Sequence, residues 1–207
     1  MVHKNSDDAF INSAYLSELW ASMDLLRCKK SGYNWSDERE VQLQDEIRHS
    51  NILLNSLKSQ TEVLVKNLNY SMQERLYNQR VNLSQSANIG EVSHVHDVTE
   101  RRAVWIYKTY LKMGNNPIYK VAVTEILADE KNHFAVNKKE AHPIRSPYAE
   151  HVRNIDYSIF KNILPAKYGQ QLFSSQNFWV DYYSGAKNEF KEDATIKSFS
   201  CYLEKLP

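Results

Sequence analysis

Two short stretches, Asp45-Glu46-Ile47-Arg48-His49 and Asp129-Glu130-Lys131-Asn132-His133, share the form Asp-Glu-x-x-His. On an α-helix, residues three apart lie on one face, so Glu46 points with His49 and Glu130 with His133. A carboxylate beside an imidazole is half of a metal site. Two such helices facing each other supply the donors for a pair of metal ions. With seven histidines among 207 residues, chance gives roughly half a Glu-x-x-His match. An Asp immediately before the Glu makes each match about twenty-fold rarer. A third match, Glu91-Val92-Ser93-His94, lacks that Asp and follows Gly90; it reads as the accidental one.

Such side chains need long, stiff elements to hold them. The chain has only five Gly and five Pro, and no Pro precedes Pro117, so the first half can carry long uninterrupted helices. Its 207 residues suffice for one sizeable core, read as a single domain over 1–207. The bundle is expected at about 8–139 and a helical C-terminal extension at about 147–205. The formal charge of +1, from 26 basic and 25 acidic residues, gives no push towards nucleic acid or an anionic membrane, and neither is expected as a partner. Cys28 and Cys201 lack metal-binding spacing and suit free thiols. The polar N-terminus has no signal-peptide core and no apolar run is long enough to span a membrane, so a soluble, cytoplasmic protein is expected.

Helix 1 is expected to start near Ser6-Asp7-Asp8, with the acidic residues as its cap, and to end near Lys29-Lys30 before Gly32. Helix 2 follows Ser36-Asp37, with Leu43, Glu46, His49, Ser50 and Leu53 on one face. Residues 58–90 suit a long crossover. Helix 3 is expected from Val92 to Met113, and helix 4 from Pro117 to about Lys139. Turn 1–2 centres near residue 33 and turn 3–4 near 115. Each Glu-x-x-His pair lies about fifteen residues past its turn, and in an antiparallel pair Glu18 and Glu100 fall level with them, about fifteen residues before. Beyond residue 140, Tyr148–Leu164, Ala166–Tyr183 and Glu189–Leu203 are expected to be helical.

Glu, Glu-x-x-His, Glu, Glu-x-x-His on four helices resembles the ferritin-like carboxylate-bridged di-metal proteins, and Asp45-Glu46-Ile47-Arg48-His49 is similar to the Asp-Glu-x-Arg-His element of bacterial diiron monooxygenases. The resemblance covers roughly residues 8–139 and implies an all-α, ferritin-like four-helix bundle with a long crossover and extra C-terminal helices. It implies two iron ions, with manganese an alternative. Glu18, Glu46 and His49 would surround one, Glu100, Glu130 and His133 the other, with Glu46 and Glu130 as bridges. It further implies that Asp45 holds His133 and that Asp129 holds His49, each Asp fixing a ring nitrogen. Arg48 belongs to the same outer layer. The second motif has Asn132 where the pattern has Arg, which leaves the charge around Asp129 less balanced.

Around these ligands, His96 lies one turn from Glu100 and is an outer donor to the site, an added ligand, or a partly buried histidine with contacts of its own. Tyr107 and Phe134 are candidate linings of a substrate pocket, together with Ala14, Leu53, Ala103 and Ile126. Asp97 shares a stripe with Arg101 and Lys108 and is expected to face solvent, as is the Arg101-Arg102 pair. The activity implied is that of a diiron oxygenase oxidising a small or medium organic substrate with O2, by hydroxylation, N-oxygenation or desaturation. Its electrons would come from a ferredoxin or reductase, and the assembly would be small, a monomer or homodimer. A ferroxidase or iron-storage protein, a di-metal peroxidase and a tRNA-modifying hydroxylase use comparable ligands. A metal-free helical interaction protein would need none of them.

Overall fold

The computed structural model describes residues 2–32, 35–60, 89–140 and 147–182. Within them the chain is helical throughout: α1 Val2–Lys30, α2 Asp37–Gln60, α3 Ile89–Met113, α4 Pro117–Glu140, α5 Pro147–Ile163, α6 Ala166–Phe173 and α7 Gln176–Tyr182. None of these helices is long and apolar enough to cross a membrane.

Local chemistry sets the ends. Gly32, at φ 77°, closes α1 in a left-handed conformation that costs glycine little. The Ser36 hydroxyl accepts the Arg39 amide at 3.2 Å and caps α2. Asn116 Oδ1 accepts the amide of Ile118 at 2.9 Å, and Pro117 opens α4. Asp7 departs from the expected role. It lies inside α1, which begins earlier than the sequence suggested, and is 4% exposed. Its Oδ2 accepts the amides of Asn115 and Asn116 at 2.9 and 3.2 Å, so it ties down the entry to α4 rather than capping its own helix.

The pairing of side chains defines the topology. On α1 and α3, Asp7 meets Tyr110, Glu18 meets Tyr107 and Asp24 meets His96, so these helices are antiparallel. On α2 and α4, Arg39 meets Asn137 and Arg48 meets Asp129, another antiparallel pair. On α2 and α3, Arg39 meets Ser93 and Gln42 meets Glu100, so these run the same way. Gln60 and Ile89 therefore sit at opposite ends of a four-helix bundle. Most of the segment read as a crossover, 61–88, lies outside the described residues, as does the expected helix 189–203.

The extension packs on α3. The expected single helix 166–183 is two, because the Ser175 hydroxyl accepts the Phe178 amide at 3.3 Å and starts a new helix. Phe160, Tyr168, Leu172, Phe178, Trp179 and Tyr182 join Phe10, Ile106, Tyr107 and Tyr110 in one buried cluster. Burial of this aromatic surface supplies the main force holding the extension down. Arg102 was expected to face solvent; it is 5% exposed because its Nε donates to both oxygens of buried Asp156 on α5. Asp97 is likewise buried rather than solvated, and pairs with Arg101 at 2.9 Å.

Candidate metal centre

The bundle carries Glu18 on α1, Glu46 and His49 on α2, Glu100 on α3, and Glu130 and His133 on α4 to one depth in its interior. None is more than 5% exposed. Donor atoms of Glu18, Glu46 and His49 lie within 4.8 Å of one another, and so do those of Glu46, Glu100 and His133. Glu46 belongs to both groups. Glu130 also reaches both halves, with one oxygen 3.6 Å from His49 Nδ1 and the other 3.7 Å from His133 Nδ1.

Each imidazole turns its other nitrogen outwards. His49 Nε2 is 3.3 Å from Asp129 Oδ2, and His133 Nε2 is 3.4 Å from Asp45 Oδ2. An ionised carboxylate only accepts, so a hydrogen bond at each of these contacts requires the proton on Nε2. That orients Nδ1 inwards, where a neutral ring offers a lone pair. Arg48 resolves the charge imbalance expected around Asp129: it donates to Asp129 at 2.5 Å and to Asp45 at 3.0 Å. One guanidinium thus serves both halves, and Asn132 needs no replacement cation. Asp45, His49 and Asp129 also cluster within 4.8 Å, but Arg48 neutralises that outer group.

Four buried carboxylates packed this closely have too few positive neighbours. Burial, together with the charges of Glu100 and Glu18, raises the Glu46 carboxyl well above its usual range. Burial and Glu100 do the same to Glu130. Burial opposes the charge on Glu18 as well, but the adjacent His49 brings it below the usual value. Glu100 falls well below despite burial, with Glu130 and His133 beside it. Burial works against protonated His133, yet Glu100 and Asp45 outweigh it and raise the ring to about 9.

The inward-facing atoms are also short of hydrogen bonds. Glu46 Oε1, both Glu130 oxygens, His49 Nδ1 and His133 Nδ1 are buried without one. Orphaned buried polar atoms are costly, and here they converge. This donor set fits a pair of divalent cations: the ions would supply the missing charge and satisfy the orphaned atoms together. Mixed carboxylate and imidazole donors suit iron or manganese. The Cys28 thiol belongs to none of these donor groups, and burial pushes it up to about 11.

The residues around the ligands have specific partners of their own. His96 is fully buried and directs Nε2 to Asp24 Oδ2 at 3.1 Å, so its hydrogen bond goes to α1, while its charge helps keep Glu100 ionised. Tyr107 touches the site itself, donating its hydroxyl to Glu18 Oε1. Burial and the Glu18 charge hold the phenol protonated. Tyr107 also borders a narrow cavity of about 30 Å³ shared with Ala14, Ala103 and Phe160. That is room for about one water rather than an organic molecule. Leu53 and Ile126 lie in the packed core instead, and the Phe134 side chain lies outside the described residues. Sequence reasoning missed Arg39 and Gln42, whose Nη1 and Oε1 are 2.9 Å apart, although they precede Glu46 at helical spacing.

Compared with protein-family models, curated proteins and solved structures, the chain matches none. Its function is therefore carried by the geometry of its own residues.

Proposed function

We propose that the chain is a non-haem diiron oxidoreductase of the oxygenase type, using O2 to oxidise an organic substrate with electrons from a ferredoxin or reductase. The observation that supports this most is the set of orphaned, inward-facing oxygens and nitrogens of Glu46, Glu130, His49 and His133. Glu18, Glu46 and His49 would hold one ion and Glu46, Glu100 and His133 the other, with Glu130 reaching both. When bound, a ferrous pair supplies two electrons to dioxygen at a shared position. Asp45, Asp129 and Arg48 keep both imidazoles aimed inwards. Tyr107 fixes Glu18 and stands between the ligands and the cavity. Phe160 and Ile163 of α5, and Leu164 just after it, also line that cavity.

The small cavity favours a second reading: an oxidase whose substrate is as small as O2 or a ferrous ion, within the ferroxidase class. One experiment addresses both. Several tens of ferrous ions per chain are added in air, followed by size exclusion with iron detection, beside a Glu130→Ala variant. The expected result is about two irons per chain on a small species, oxygen consumption without a mineral core, and loss of both in the variant. A large assembly retaining far more iron would establish storage. Uptake near zero by a folded protein would remove the metal reading altogether.

A further inference from the structure

The two halves of the centre follow one plan up to the ligands and diverge just beyond them. Glu18 and Glu100 each receive a hydrogen bond from another helix, but from different chemistry. Glu18 accepts from the Tyr107 phenol. Glu100 Oε1 accepts from Gln42 Nε2 at 3.2 Å. Behind Gln42 stands Arg39, 1% exposed, whose Nη1 donates to Gln42 Oε1 at 2.9 Å and to Asn137 Oδ1 at 2.5 Å, while Nη2 donates to Ser93 Oγ. This guanidinium links α2, α3 and α4 beside the ligands. Matching the two Glu-x-x-His motifs, the position equivalent to Gln42 on α4 is Ile126, which is fully buried and apolar. Among the described residues there is no comparable polar brace at that position.

We propose that Gln42, held by Arg39, is a positioning residue that fixes Glu100 and makes the two metal positions unequal in affinity. This rests on the di-metal reading and adds to it. An amide cannot change its charge near neutral pH and presents its donor at one end only while Arg39 occupies its oxygen. Glu100 is therefore fixed in orientation before any ion arrives, and ordering a ligand in advance strengthens binding. The half containing Glu46, Glu100 and His133 is thereby braced by a chain of side chains from three helices, whereas Glu18 is held by the single Tyr107 phenol beside the cavity.

The test is an anaerobic ferrous titration of the full chain in competition with a chelator, with Mössbauer spectra of the loaded protein. Wild type should show two stepwise affinities and two distinct ferrous signals. Gln42→Met keeps the length of the side chain and removes both polar atoms. It should weaken one step by about 10–100-fold and shift one signal, leaving the other step and signal in place. Ser93→Ala, which removes one acceptor of Arg39 and leaves Gln42 intact, should change the same step by a smaller factor. It decides the matter should Gln42→Met not fold. Unchanged affinities and spectra in the folded variants overturn the inference, as does equal weakening of both steps. A wild-type chain that binds no iron overturns the metal reading first, a distinguishable result.

Discussion

At the scale of single residues, Asp45 and His133 would set the terms on which the proposed centre accepts an ion. Asp45→Asn keeps the shape of the side chain but removes the charge facing His133 Nε2. It should weaken manganese or ferrous binding roughly 10–100-fold while the helices stay folded; wild-type affinity would reduce Asp45 to a partly exposed carboxylate that pairs only with Arg48. His133 also predicts a pH dependence. Its folded pKa is raised to about 9, so in the metal-free protein its contribution to stability is full below about 6.5 and disappears as pH rises through 9. On the proposed di-metal reading, an incoming ion would displace the second proton from this ring, and protons from Glu46 and Glu130, whose carboxyls are raised too. Manganese affinity should therefore rise between about pH 6.5 and 9, with protons released on binding. A calorimetric titration in buffers of different ionisation enthalpy measures this, and pH-independent uptake contradicts it. The motif residues were legible because spacing on one helix fixes which side chains share a face. Arg48 was legible only as part of a motif. That it would serve both Asp45 and Asp129 depends on the α2–α4 contact, which local spacing does not encode.

At the scale of elements, the four long helices were readable from Gly32, Ser36 and the Asn116-Pro117 step, where backbone chemistry is local. The errors came where distant partners decide. Arg102 looked solvated because its neighbour Arg101 is polar too, but Asp156 waits 54 residues later. Their pair joins α3 to α5, and Tyr182 donates to the same carboxylate at 2.7 Å, joining α7. Arg102→Met should strand Asp156 as a buried charge and lower stability by about 3–5 kcal/mol, read by denaturant unfolding. Adding Asp156→Leu should recover much of that loss. Failure to recover would mean that the cluster around Phe160 depends on the ion pair for its geometry. Asp7 is the same kind of error seen from the other side. Its position near a helix start suggested a cap, whereas the tertiary fold uses it to bind the amides that begin α4.

At the scale of the whole molecule, the depth of Glu18 and Glu100 followed from counting residues from two turns, so the convergence of four helices was accessible before any coordinates. The unequal surroundings of the two halves were not, because Gln42 and Ile126 occupy matching positions only once the hairpins are superposed. The buried carboxylates have one more consequence, for the lifetime of the chain. A core holding four carboxylates is a poor resting place for an empty protein, and filling it stabilises the folded state by mass action, about 2.7 kcal/mol at a hundredfold excess over Kd. Where reclosing is fast, proteolysis follows the population of opened molecules. Digestion of the empty chain should thus outpace that of the loaded chain by about 100-fold under such conditions, measurable by timed protease digestion with and without ferrous or manganous ions. Equal lifetimes would show that the vacant core is already at ease. On the proposed metal reading, the protein's abundance would otherwise keep its own record of metal supply: chains that fail to load would be cleared, and the pool that persists would be the pool that is filled.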